Sequence, residues 1–397
     1  MKIAIVCPEP AGEVLSGIGI RMTSMARALA RDFSVKLLLP AGSSPESLAL
    51  SCDVEIYERD KVGRAVGDCP VAIVQGEPAN FLLSQRQDVL TIVDLYDPYT
   101  IEALNYGEEA HQFAHASLQL QLLRGHIFLC ASEIQKLFYA GALYHAGRLT
   151  PDLYARSHHL EPIMMVIPFG VPDTDPPDHD GWLRHRLSVP DHEPLVFFGG
   201  VYDWYDTDTL LAVWRTLVRE KRAHLVICRH PRADTTPQIR FETFLEGAKE
   251  SGLLHDTIHV VDWIPYHDRV SAYRDCHTAL SFHFQSFETT LSFRTRVLDF
   301  LWAGLPVLTS PGGGLEQVLF DLPGLRILKE NTVSEGAEVL AEMISRPIED
   351  AERKRISLAI RNRLSWDRVL APLSDYLKSL ERYQGAEPRS WWQRLFP

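Results

Sequence analysis

The sequence predicts an α/β protein of two Rossmann-like domains, on three observations. Residues 2–40 run as strand, glycine loop, helix, strand. The stretch VPDTDPPDHDG at 171–181 packs three prolines and four aspartates into a linker, and strand–helix alternation restarts after it with PLVFFGG. The span 279–314 repeats the same grammar of strand, loop, helix, strand and glycine loop. A chain of 397 residues suits two domains of roughly 100–200 residues each.

In the first half, KIAIVCP is a buried strand and EPAGEVLSGIG the loop after it. A helix is expected over 20–31, with Met25, Leu29 and small alanines inward, and FSVKLLLP is the second strand. The dinucleotide fingerprint fails, because Gly17-x-Gly19 is followed by Met22 where a third glycine belongs, so NAD is not expected. Gly17 and Gly19 read equally as a ligand-facing loop or as a plain tight turn. Arg21 stands near a helix start, where a cation opposes the helix dipole; a solvated arginine is the alternative to a bound anion. VAIVQGEP is a further strand. TIVDLYDPYTIE runs out at Asp94, Tyr96, Asp97 and Pro98, and carboxylates at a parallel strand's carboxyl end stand where open α/β sheets place ligands. Asp94 is read as an acceptor contact or base, or as structural; Asp97 before Pro98 has the pattern of a helix N-cap. GHIFLCASEIQ is strand then helix, with Ser132 as N-cap and His126 opening the strand. A helix over 137–148, a loop-rich 151–162 and the strand-and-turn MMVIPFGVP follow.

In the second half, the loop from Gly199 and Gly200 to Trp204 supplies backbone amides and an indole but no cation. Trp204 either stacks on a base or sugar or packs. Arg229 and His230 follow the strand HLVIC at its carboxyl end. IHVVDWIPYHDRVSAYRDC is strand, loop and a helix over 268–276, and ALSFHF is a buried strand in which His283 reads as an interior histidine. Phe293, Val297, Phe300 and Leu301 then recur as one helical stripe, which Gly304 ends.

The anomaly lies at that helix start. Ser292 stands as the expected N-cap, yet Arg294 and Arg296 occupy the first turn, against the dipole by roughly 0.3–1 kcal/mol each. A bound anion would reverse the sign, since free N–H groups, the dipole and two guanidiniums would converge on it. Asp299, three residues past Arg296, suits a ribose beside such a phosphate; a surface Arg296–Asp299 pair is the alternative. Pro311 and three glycines, Gly313 among them, turn the chain, and Glu316 follows. LRILKE is a last strand, with helices over 334–345 and 351–364. The tail PRSWWQRLFP joins Trp391 and Trp392 to two arginines, as a membrane-interface or partner contact or as a segment packed on its own chain.

The segment VLDFLWAGLPVLTS resembles the nucleotide-sugar segment of GT-B glycosyltransferases, in particular family 4, in carrying an acidic residue (Asp299), a glycine five on (Gly304) and a proline two after (Pro306). The family's first glutamate falls on Leu291 here, with Glu288 eleven residues before Asp299, so that carboxylate is displaced. Segments at 94–98 (DLYDP), 128–133 (FLCASE) and 168–170 (PFG) resemble a divergent bacterial branch. The resemblance implies two Rossmann-like domains facing a central cleft: 1–172 on the acceptor side, 173–365 for the nucleotide sugar, and 366–397 crossing back. It implies sugar transfer from a nucleotide-sugar donor to a hydroxyl acceptor with retention and without a metal, and no D-x-D motif stands in a promising loop. No cofactor is implied; the donor is a substrate, of UDP or GDP type. The family's Arg and Lys after the Gly-Gly loop are missing, leaving Arg294, Arg296 and Arg229 as replacements. The resulting donor side comprises Gly199, Gly200, Trp204, Arg229, His230, Ser292, Phe293, Arg294, Asp299, Gly313 and Glu316. The acceptor side comprises Gly17, Gly19, Arg21, Asp97 and His126, and the catalytic set Arg294, Arg296, Glu288 and Asp94. The alternatives are a degenerate, non-catalytic partner subunit on this fold, and a sugar-nucleotide epimerase or phosphorylase.

Composition sets bounds. A net charge of −12 argues against general nucleic-acid binding. Six scattered cysteines without C-x-x-C spacing read as free thiols of a reducing compartment rather than a zinc site. No window approaches ~18 apolar residues, so no membrane span is expected; with the free thiols this gives the expectation of a cytoplasmic protein, with contact at the inner membrane face and a lipid-linked, glycan or small-molecule acceptor left open.

Overall fold

The computed structural model describes residues 1–178, 181–230, 238–265 and 268–384, without the side chains of 381–384. The tail with Trp391 and Trp392 lies outside the described residues. The chain forms two compact units: Met1–Gly170 with Leu291–Phe293 and Leu364–Pro397, and Val171–Thr290 with Arg294–Arg363.

The first unit holds a seven-stranded sheet of β1 (Lys2–Val6), β2 (Ser34–Pro40), β3 (Asp53–Tyr57), β4 (Val71–Val74), β5 (Leu90–Asp94), β6 (Ile127–Cys130) and β7 (Met164–Val166). Its order is β3-β2-β1-β4-β5-β6-β7 and every pairing is parallel. Helices cover both faces, which is why β4, β5 and β6 are apolar along nearly their whole length. The helix Gly17–Leu29 starts three residues before the expected bound, because Ser16 caps it by accepting from the Gly19 amide at 3.1 Å. Ser132 caps the helix Glu133–His145 through the Gln135 amide, as expected. Two features differ from the sequence reading. Residues 151–156 form a helix capped by Thr150 with Pro151 at its first position, and the long helix Glu108–Arg124 carries no clear apolar stripe to announce it. The last described helix, Trp366–Gln384, packs in this unit, with the Trp366 ring 5.1 Å from Phe169.

The second unit holds a six-stranded sheet of β8 (Leu195–Gly200), β9 (His224–Cys228), β10 (Ile258–Val261), β11 (Thr278–Ser281), β12 (Val307–Thr309) and β13 (Leu325–Ile327). The order is β10-β9-β8-β11-β12-β13, again all parallel. A core centred on Phe198, Trp214, Phe241, Phe244 and Phe282 fills one face. In each sheet the order reverses once, between β1 and β4 and between β8 and β11. Open α/β sheets bind ligands at such reversals, beyond the strands' carboxyl ends. All six cysteines are free and five are buried. Among the described residues no helix is long and apolar enough to cross a membrane.

Candidate functional site

The reversal of the second sheet lies where β8 ends in Gly199-Gly200 and β11 ends in Ser281. Gly199 takes φ +86°, and a side chain on Gly200 would stand 3.0 Å from the Trp263 ring, so only glycine lets the strand end there. The β8–β9 register slips between Phe197 and Gly199, the irregularity that this glycine permits.

The helix carrying the arginines begins later than the sequence suggests. It spans Thr295–Trp302, with Arg294 at the N-cap position and no side-chain cap bond, so Ser292 is not its cap. A short helix, Phe287–Leu291, precedes it, and Leu291–Phe293 count with the first unit. Leu291 and Phe293 are buried. At the other end the structure follows expectation. Gly304 takes φ +76°, and the amides of Gly304 and Leu305 bond to Leu301 and Phe300 in a Schellman closure.

The two arginines, expected to act as a pair, have different jobs. Arg296 donates from Nη1 to the carbonyls of Phe198 (3.0 Å) and Gly200 (2.8 Å) and lies over the Tyr205 ring at 4.6 Å. It fastens the end of β8. Arg294 is 92% buried and donates from Nη1 to His283 Nδ1. Its Nε and Nη2 are buried with no hydrogen-bond partner. Burial pushes this guanidinium down to about 10, opposed by Glu288, Tyr205 and Glu316, so it stays cationic at neutral pH. A buried cation with two idle donors is costly unless something negative meets it.

The remaining donor-side candidates arrange themselves around this point. Asp299, one turn into the helix, is half-buried, and no hydrogen bond or ion pair among the described residues engages its carboxylate. Burial raises it to about 6, against the pull of Arg269 and Arg296. Glu288 sits on the short preceding helix within electrostatic reach of Arg294. Glu316 is occupied in accepting from the Gly312 amide, which closes the glycine turn; Gly313, at φ +93°, forms the N-cap of the helix Gly314–Leu319. Trp204 stacks on Tyr202 at 4.8 Å and packs against the core. Arg229 ion-pairs with Glu242 at 3.6 Å and covers Phe241, which draws it to that helix. His230 lies edge-on to Trp263 and Tyr202. Nearby, the Val261–Pro265 segment with Trp182 and Arg186 lines a pocket of about 320 Å³.

Among the first-unit candidates, Arg21 and Asp94 hold each other. Arg21 Nε and Nη2 meet both oxygens of Asp94 at 2.6 and 2.9 Å, and Nη1 and Nη2 also reach the carbonyls of Pro168 and Ile167. Neither side chain is exposed, so Arg21 is not a solvated arginine, and the Asp94 carboxylate is engaged in a buried pair. Asp97 is not an N-cap: the following helix starts at Tyr99 with Pro98 in the cap position. His126 accepts from the Thr91 amide at 3.0 Å through Nδ1 and tethers β6 to β5; burial depresses it to about 4. Gly17 and Gly19 form the first turn of their helix rather than a loop.

The sequence reading missed the partner of Arg294. His283 is interior as expected, but both of its ring nitrogens are used, Nδ1 by Arg294 and Nε2 by Ser281 Oγ at 2.8 Å. The ring also packs 4.6 Å from Tyr205. A polar residue inside an apolar strand was the available signal; its partner, on another element, was not.

No protein-family model and no curated protein matches the chain. Solved structures do. A sucrose-phosphate synthase from Thermosynechococcus elongatus superposes with a TM-score of 0.66 at 14% identity, covering 96% of this chain and 99% of that one. HepE from Anabaena, solved with UDP and glucose, gives 0.68 at 12% identity over 96% and 100%. A structure assigned as a UDP-N-acetylglucosamine 2-epimerase from Listeria monocytogenes gives 0.59 at 11% over 98% of both chains. Together with the two parallel sheets, these likenesses show that the chain has the GT-B fold.

Proposed function

We propose that this chain is a glycosyltransferase that moves a sugar from a nucleotide-sugar donor to a hydroxyl acceptor. The observation that carries the reading is Arg294, a buried guanidinium whose Nε and Nη2 have no hydrogen-bond partner among the described residues, at the reversal of the second sheet. That is where a doubly wound sheet receives a nucleotide. The anomeric carbon–oxygen bond breaks with its electron pair leaving on the diphosphate, and the acceptor oxygen bonds to the anomeric carbon while its proton passes to a leaving-phosphate oxygen. Charge thus accumulates on the diphosphate, and a preorganised cation there lowers the barrier. In this reading Arg294 meets the diphosphate, Arg296 holds the glycine strand end in place, and Asp299 accepts from ribose hydroxyls. Glu288 is the carboxylate for the sugar. Retention of configuration, independence from metal and a position on the cytoplasmic side of the membrane complete the proposal. Retention and metal independence are supported by the family resemblance of the 297–310 segment, and the cytoplasmic position by the scattered free cysteines. The HepE structure, which holds UDP and glucose, supports the donor class.

The test is nucleoside diphosphate release from a panel of UDP- and GDP-sugars, with and without glycan and lipid-linked acceptors. Acceptor-dependent release that Arg294→Ala abolishes is the expected result. The epimerase-like neighbour favours one second reading, conversion of the sugar nucleotide itself; an altered sugar nucleotide formed without an acceptor would establish it. No binding of any donor would favour a non-catalytic subunit.

A further inference from the structure

We infer that His283 is a positioning residue that holds the Arg294 guanidinium without adding an opposing charge of its own to those of Glu288 and Glu316, which leaves the cation available to an anionic ligand; this rests on the reading of Arg294 as the diphosphate contact. The geometry fixes the imidazole's protonation. Arg294 has only protons to offer, so Nδ1 must be a bare acceptor, and the proton therefore sits on Nε2, which donates to Ser281 Oγ. Burial and the flanking Arg294 and Arg296 hold the ring far below its ordinary range, which keeps it neutral.

The surroundings pin the ring as well. The His283 amide donates to Ser310 Oγ at 3.0 Å, and Ser310 Oγ donates to Asn331 at 2.7 Å, tying together the ends of β11, β12 and β13. Tyr205 closes one side through the ring contact and through an antiparallel bridge to His283.

The residue type matters. Buried arginines usually lie against a carboxylate, as Arg21 does against Asp94. A carboxylate at 283 would orient Arg294 equally well but neutralise it before any ligand arrived. A neutral imidazole takes one N–H and contributes no charge, so Nε and Nη2 remain fully cationic donors. The same sheet-end position thus gives direction without self-neutralisation.

The test compares wild type, His283→Asn and His283→Asp in the full chain. Binding is measured calorimetrically with UDP, GDP and inorganic pyrophosphate, and folding by thermal melting. Asparagine and aspartate both offer an oxygen near the Nδ1 position and both lose the Ser281 contact, so they differ in charge and in the second terminal atom, an NH2 donor in asparagine and an acceptor oxygen in aspartate. Asparagine should bind within about threefold of wild type and aspartate at least about tenfold more weakly, the scale of one charge-assisted contact. Equal affinity of the aspartate variant with intact wild-type UDP or GDP binding would overturn the role of His283 and leave the donor reading standing. Wild-type binding of pyrophosphate but of neither nucleotide would overturn the donor reading, while the same comparison on pyrophosphate still decides His283. Binding of none of the three overturns both. Should aspartate prevent folding, the long-range 1H–15N spectrum of wild-type imidazoles decides: a proton on Nδ1 of His283 at pH 7 refutes the proposal.

Discussion

Replacing Asp299 by asparagine should make the protein more stable and a poorer binder at once. The carboxylate is half-buried with no hydrogen-bond or ion-pair partner among the described residues, and burial lifts it from 3.8 to about 6 despite Arg269 and Arg296. The folded state therefore holds this proton more tightly than the unfolded chain. The stability it contributes is fully present below about pH 4 and is lost as pH rises through about 6. A rise of about two pH units at 1.36 kcal/mol each amounts to about 3 kcal/mol by pH 8. Asparagine has the same shape and no charge to bury, so Asp299→Asn should match wild type at pH 4 and exceed it by up to about 3 kcal/mol at pH 8. Urea unfolding at the two pH values measures the difference, and calorimetry with UDP and GDP measures binding, which on the proposed ribose role of Asp299 should weaken as the carboxylate loses its charge. This combination is the signature of a group kept for function at the expense of stability. A variant less stable than wild type at pH 8 would refute the reasoning, since it would mean that the ionised carboxylate is stabilising; so would a difference independent of pH.

Arg21→Met and Asp94→Asn should each cost about 3–5 kcal/mol, because each strands a fully buried partner, and the double variant should lose far less than the sum; denaturant melts of the four proteins form the cycle. Arg296→Lys should lose about 2 kcal/mol in the same assay, since an ammonium cannot serve the Phe198 and Gly200 carbonyls and also stack on Tyr205. Gly304→Ala should cost more than about 1–2 kcal/mol, the price of a left-handed residue, because its methyl would also sit 2.6 Å from the Arg353 carbonyl oxygen; an unchanged melting temperature would count against the Schellman closure.

Where a local rule decides, the sequence was readable. Ser132 followed by Glu133 marked a helix start, Gly304 marked a helix stop, and the apolar runs at 3–6, 127–130 and 279–282 marked buried parallel strands. The restart of strand–helix alternation after the proline-rich linker led to the two-sheet fold. Ser292 misled because the helix begins at Thr295, with Arg294 at the cap position. Asp97 misled because the helix begins one residue later than expected, with Pro98 at the cap position.

By itself the sequence determined the order of elements, the glycine stops, and the presence of misplaced positive charge near residue 294. Only the tertiary structure decided which charge is free. Arg296 is spent on carbonyls 98 and 96 residues away, Arg21 on a carboxylate 73 residues away, and Arg294 on a neutral ring that leaves two donors over. The physical reason is that a polar side chain's role depends on how its hydrogen bonds are satisfied once water is removed. In a parallel sheet those partners arrive from strands far apart in the chain, so neighbours in sequence cannot reveal them.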